Sequence, residues 1–272
     1  MFRMKIISVI FLFGIVPVSA QSPLPALSFT KGESLKYTAN QTVTVSETAK
    51  DVNVKTVFTS NHTITLNVTS VSAGKAKMSV KLSGITTKAT ITGLPKDAEK
   101  DKANIEKQAA EAFKQEISTS SRSQTVDIRG KTEYHIDVGD GKTLNIENGA
   151  YFFLVLPNKA IKAGDKWTAD VSSPDPRDNS KMKVNYTLKN IATQNNQQIY
   201  NIEISFSDSK SHKQQDVTLS GSIKVTGNIL YNFTTKKLNE VNMTRTVTET
   251  ATSSKGEKAQ RTIVTNTKIK RS

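Results

Sequence analysis

Apolar and polar residues alternate with period two along most of this chain, the pattern of half-buried β-strands. Ile64, Leu66 and Val68 share one parity in HTITLNVTS, Met78, Val80 and Leu82 in KMSVKL, and Tyr200, Ile202, Ile204 and Phe206 in YNIEISFS. Turn-forming residues separate the runs: Ala73-Gly74-Lys75, Arg129-Gly130-Lys131, Asn195-Asn196 and Lys255-Gly256-Glu257. Short turns between alternating runs predict hairpins, and hairpins predict an antiparallel sheet.

One segment leaves this pattern. Residues 95–118, PKDAEKDKANIEKQAAEAFKQEIS, are rich in Ala, Glu, Lys and Gln, all good helix formers. Ile105, Ala109, Ala112, Phe113 and Ile117 fall on one helical stripe. The pattern therefore predicts a helix over 96–118. Its half-alanine stripe predicts modest burial against a sheet.

A weak internal repeat divides the strands into two related halves. Phe29, Gly32, Glu33 and Leu35 have the spacing of Ile161, Gly164, Asp165 and Trp167. Each set precedes a long alternating stretch, TLNVTSVSAGKAKMSVKL in one half and TLKNIATQNNQQIYNIEI in the other. The expected fold is mainly β: curved antiparallel sheets, half-barrel or sandwich-like, with one central amphipathic α-helix. The expected organisation is a signal peptide at 1–20, a first β half at 21–95, the helix at 96–118, a connecting hairpin and loop at 119–163, and a second β half at 164–272. On this reading the Gly-acid turn launches the first strand of each half, and Trp167, the chain's one tryptophan, is a core anchor.

The N-terminus fixes the expected compartment. Arg3 and Lys5 precede the apolar run IISVIFLFGIVPVSA, which ends in the small residues Ser19 and Ala20. That is the form of a secretory signal cleaved after Ala20. The run is too short, and too broken by Pro17, to predict a transmembrane anchor. Absence of cysteine excludes disulfides, thiolate metal sites and a thiol nucleophile, and in an exported chain it favours a bacterial periplasm or exterior. The formal charge is +14, or +12 without Arg3 and Lys5. The lysines are scattered and aromatics make up 6%, so the charge predicts attraction to an anionic envelope surface and argues against nucleic acid.

LPNKAIKAGDKW, residues 156–167, resembles the mid-chain signature of a family of uncharacterised secreted bacterial β-proteins. GSIKVTGNILYNFTTKKL, residues 221–238, is similar to that family's closing hairpin, with Lys237 where a second Gly is expected. The resemblance implies an exported β fold and brings no catalytic residues. In architecture alone, an open antiparallel sheet padded by a helix is similar to periplasmic lipid carriers of the LolA and LppX type.

Chemistry is sparse. Gly139-Asp-Gly-Lys142-Thr143 lacks the first glycine of a phosphate loop, and Gly139 and Gly141 stand where a calcium loop needs oxygen donors. His62, His135 and His212 are far apart, and Asp175 and Asp178 lie in a Pro-rich loop. The sequence thus predicts no catalytic residue, cofactor or metal. Three roles remain: a module binding an apolar or lipid-like ligand, a structural or interaction component of the envelope, and an enzyme without a recognisable motif. For the first, the candidate contacts are Ile105, Phe113, Ile117 and Trp167, on the helix and the concave sheet face. A concavity of some hundreds of cubic ångströms would indicate a ligand. A core filled by Trp167, Phe152, Phe153 and the helix stripe would indicate a scaffold.

Overall fold

The computed structural model describes residues 24–49, 52–118, 121–137, 154–172, 181–214 and 217–272. The proposed signal peptide, Gly139–Thr143, Phe152, Phe153, Asp175 and Asp178 lie outside them.

The strands form one antiparallel sheet. β1 (Ser34–Ala49), β2 (Val52–Ser72), β3 (Lys75–Thr92), β4 (Ser121–Asp127) and β5 (Thr132–Asp137) meander across one half. β6 (Lys166–Ser172), β7 (Lys181–Gln194), β8 (Gln197–Gln214), β9 (Val217–Asn232), β10 (Lys237–Ser253) and β11 (Lys258–Arg271) form the other. The two meanders join where β1 pairs with β11, giving the order β5-β4-β3-β2-β1-β11-β10-β9-β8-β7-β6. Curling brings the edge strands β5 and β6 into contact, so the sheet is a nearly closed barrel.

Each predicted turn is found, and its residue types explain it. Ala73 and Gly74, and Asn195 and Asn196, have consecutive positive φ, as a two-residue hairpin matched to strand twist requires. Gly84 (φ +62°) sits in a bulge where β3 gains a residue against Asn61–Thr63 of β2. That extra residue swaps the inward parity of β3 from Met78, Val80 and Leu82 to Thr87, Ala89 and Ile91.

The swapped face receives the helix. A 3₁₀ turn (Glu99–Asp101) leads into α1 (Lys102–Ser118). Residues 96–98 form a turn ahead of the helix, with the Pro95 carbonyl accepting from both Ala98 and Glu99 N–H. α1 lies on the inner face of β3 and touches β2. Phe113 and Ile117 are buried, Phe113 packs on Phe58 of β2 with centroids 4.9 Å apart, and Ile105, Ala109 and Ala110 are half-buried. Thr87 Oγ1 donates to Ala110 O and Glu106 accepts from Ile91 N–H, which tie helix to strand.

The two halves open with the same device. Gly32 N–H donates to Val68 O and Val68 N–H to Glu33 O; in the other half Gly164 pairs with Leu188 and Leu188 with Asp165 in the same way. In each case the acidic side chain accepts from the N–H three residues back, Thr30 or Lys162. Both glycines have φ near +90° (+84° and +91°), a conformation other residues rarely adopt. Even the bulge beyond recurs, after Val68 in one half and after Leu188 in the other.

Candidate functional site

The long strands carry their inward parity from one end of the barrel to the other, and the two ends differ. At the end defined by the turns at 73–74, 128–131, 195–196 and 233–236, the inner face is packed. Leu35, Tyr37, Ile64, Leu66, Val68, Met78, Leu188, Ile202, Ile229 and Tyr231 are buried in one cluster that spans both halves. Trp167 on β6 joins it half-buried, stacked on Tyr186 at 5.1 Å, with its indole N–H donating to Val155 O at 2.7 Å.

Two segments cap this end. Residues 24–33 cross it, held by Tyr231 hydroxyl to Ala26 O, Leu27 N–H to Ile128 O, and Arg129 to Pro25 O. Lys237, 7% exposed, donates to Ser28 O, pairs with Glu33 at 2.6 Å and lies 5.0 Å from the centre of the Phe29 ring. Residues 154–161 form the second cap, with Leu154, Val155, Leu156 and Ile161 buried and Leu156 N–H bonded to Arg129 O. Burial pushes the Tyr231 phenol well above the ordinary tyrosine range against the Ala26 hydrogen bond, and burial raises Tyr200 as well.

At the opposite end the inner face is hollow. A concavity of about 750 Å³ opens over β1, β2, β8, β9, β10 and β11. Register orders its lining into rows. Beneath the lining lies a row of Val45, Ile263, Val247 and Ile223 on β1, β11, β10 and β9, with Asp208 opposite Ile223 on β8. The next holds Val54, Glu47, Arg261, Glu249, Gly221 and Lys210. The rim is apolar again: Val52, Ala49, Ala259, Ala251 and Leu219. Val52 and Leu219 stand 48% and 43% exposed. α1 covers the β3 side of this end and reaches β2 at Phe58.

The hollow is therefore an apolar concavity crossed by a band of charge, built on strands whose other end is anchored in a dense core. Such a shape suits an amphipathic guest. Of the residues expected at a ligand, Ile105, Phe113 and Ile117 belong to the helix face packed on β3 and β2, and Trp167 belongs to the packed end. None of the four lines the hollow. Sequence reading passed over Val52, Val54, Leu219, Glu249 and Lys210. A signal for them existed: Glu47, Lys210, Glu249 and Arg261 are charges on the apolar parity of their strands. His62 is buried on the inner face of β2, while the side chains of His135 and His212 are outside those described. Among the described residues no group of three or more His, Asp or Glu could hold a metal ion.

The geometry defines a class: a nearly closed antiparallel barrel, capped at one end and hollow at the other. Comparison with solved structures places the fold beside lipovitellin, in a structure described as lipid–protein interactions in lipovitellin. That match has a TM-score of 0.52 and 9% identity, and covers 90% of this chain and 25% of that one. The chain thus spans about a quarter of that protein, and the likeness is one of fold. A Salmonella typhi OmpF complex with daunomycin (TM-score 0.20, 8% identity, 89% of this chain, 99% of that one) and a Nostoc punctiforme protein of the DUF3598 family (0.12, 10%, 86%, 95%) are more distant. No family model and no curated protein matches the chain.

Proposed function

We propose that the chain is an exported protein of a bacterial envelope that binds an apolar or amphipathic ligand at the hollow end of its barrel, without performing chemistry on it. The observation that carries this is the 750 Å³ concavity walled by Val52, Val54, Leu219, Ala49, Ala251 and Ala259. Its size falls within the usual range for small-molecule sites. Exposed Val and Leu facing a hollow would be covered by a ligand's chain at a gain of roughly 25 cal/mol per Å². The likeness in fold to lipovitellin, described with its lipid–protein interactions, supports the same reading. Export rests on the leader-like residues 1–20 and the absence of cysteine. The charge of +14 favours an anionic envelope surface as the working environment. No helix of the described chain is long and apolar enough to cross a membrane.

Native mass spectrometry of protein purified from its own envelope tests the proposal. The expected result is a co-purifying lipid-sized adduct, removed by detergent. Protein that arrives bare and also fails to brighten an apolar fluorescent dye contradicts it.

A second reading, an interaction component of the envelope, has one observation in its favour. On the outer face, a polar groove of about 750 Å³ is lined by Asn40, Asn61, Asn228, Asn242 and Asn266 with Glu203 and Lys268. Asn is disfavoured in strands, so a row of it across neighbouring strands runs against local propensity. If this groove is the working surface, the double variant Asn40→Ala/Asn228→Ala loses retention on isolated envelope material while dye binding in the hollow is unchanged. Unchanged retention rules it out.

A further inference from the structure

The charged band in the hollow has an arrangement that apolar binding alone does not require. Glu47 and Arg261 face each other and pair at 3.2 Å. Glu249 and Lys210 have no ion-pair partner among the described residues, although both line the same hollow. They stand on β10 and β8, with Gly221 of β9 directly between them in the register. Two strand spacings separate them, about 9.6 Å of backbone. Gly221 leaves that interval empty: a Cβ there would meet only the Thr248 carbonyl oxygen, at 3.8 Å. The nearest other carboxylate on β8, Asp208, is engaged at Oδ1 by Ser209 N–H at 2.8 Å.

A side-chain-free gap is thus flanked by one unpaired anion and one unpaired cation. The next row inward in the register holds Val45, Ile263, Val247 and Ile223, with Asp208 beside Ile223 on β8. The four charges of the band sum to zero, so it favours neither a purely anionic nor a purely cationic guest. We propose that the gap over Gly221 recognises a zwitterionic headgroup, with the ammonium on Glu249, the anionic group on Lys210, and the attached chain lying over Val247 and Ile263. Charge-assisted hydrogen bonds at both ends distinguish such a headgroup from one bearing a single charge. The inference rests on the reading of the hollow as an amphiphile site and names the class of amphiphile.

The test is dye displacement from the full chain by four probes of equal chain length: lysophosphatidylethanolamine, the fatty acid, the alkylamine and the neutral monoacylglycerol. The zwitterion is expected to bind the wild type about tenfold more tightly than the other three. Glu249→Gln and Lys210→Met should each bring the zwitterion's affinity down to that of the monoacylglycerol and so abolish the preference. Gly221→Val fills the gap with a residue that strands favour and should weaken the zwitterion selectively. If Gly221→Val does not fold, the two charge variants still decide. Binding of all four probes with equal affinity, or a preference that neither charge variant moves, overturns the inference and leaves the amphiphile site standing. If none of the four displaces the dye, the amphiphile site falls and the headgroup inference falls with it.

Discussion

The same strands that bury Tyr37, Ile64, Leu66, Ile202 and Tyr231 to less than 2% exposure at one end of the barrel leave Val52 and Leu219 nearly half exposed at the other. The difference comes from what covers the inner face. At the packed end two chain segments, 24–33 and 154–161, lie across the opening and are held by backbone hydrogen bonds and by Lys237 and Arg129. At the hollow end the cover among the described residues is α1, which lies on β3 and touches β2. One sheet therefore supplies a rigid base and an unfilled mouth, and stability and binding are assigned to different stretches of each strand.

Paired substitutions sharpen that contrast most. Ile202→Ala, at a position with no exposure, should cost about 2–5 kcal/mol of unfolding free energy. Leu219→Ala, in the mouth, should stay within about 0.5 kcal/mol of wild type and weaken dye binding. Chemical denaturation of both variants checks the pair. A Leu219→Ala loss comparable with that of Ile202→Ala would mean that the mouth is core.

The cap itself can be broken at Glu33. Removing this carboxylate leaves Lys237 buried without its anion, a change that costs 3–5 kcal/mol in fully buried pairs. Glu33 keeps 23% of its side chain exposed, so about 2 kcal/mol is the expected loss for Glu33→Ala. A melting temperature equal to wild type would show that the cap does not contribute to stability.

A smaller effect is confined to alkaline pH. Burial raises the folded-state pKa of Tyr231 above the unfolded value of about 10. The stabilisation of the neutral phenol is fully present below pH 10 and declines as pH rises beyond it, because the unfolded chain then releases the proton first. Tyr231→Phe should be less stable near neutrality by about 1 kcal/mol, through loss of the bond to Ala26 O, and should lose less between pH 9 and pH 11. Parallel alkaline profiles for the two proteins would contradict this.

Local features of the fold were legible in the sequence because each is set by neighbouring residues. Period-two runs became strands, the Gly and Asn turns became hairpins, and the Gly-acid spacing at Gly32 and Gly164 marked the same turn in both halves. The closure was not legible. It depends on β1 pairing with β11, where Tyr37 meets Arg271, and no local pattern encodes a contact between residues so far apart. The hollow was missed for a related reason. Glu47, Arg261, Glu249 and Lys210 come from four strands and become one band only when the register of all of them is known. The aromatic and helical residues that drew attention, Trp167 and Phe113, are packed because large apolar side chains find partners first. The residues lining the hollow, aliphatic and charged ones among them, lie toward the strand ends.

Hydrogen exchange with and without the neutral monoacylglycerol tests the central claim most directly, because it reports where on each strand a guest acts. Slower exchange is predicted at 43–56, 217–223 and 245–263, the walls of the hollow, with no change at 64–68, 200–204 and 229–231 in the packed end. Protection that is absent, or that rises equally at both ends, would contradict a binding site in the mouth of the barrel.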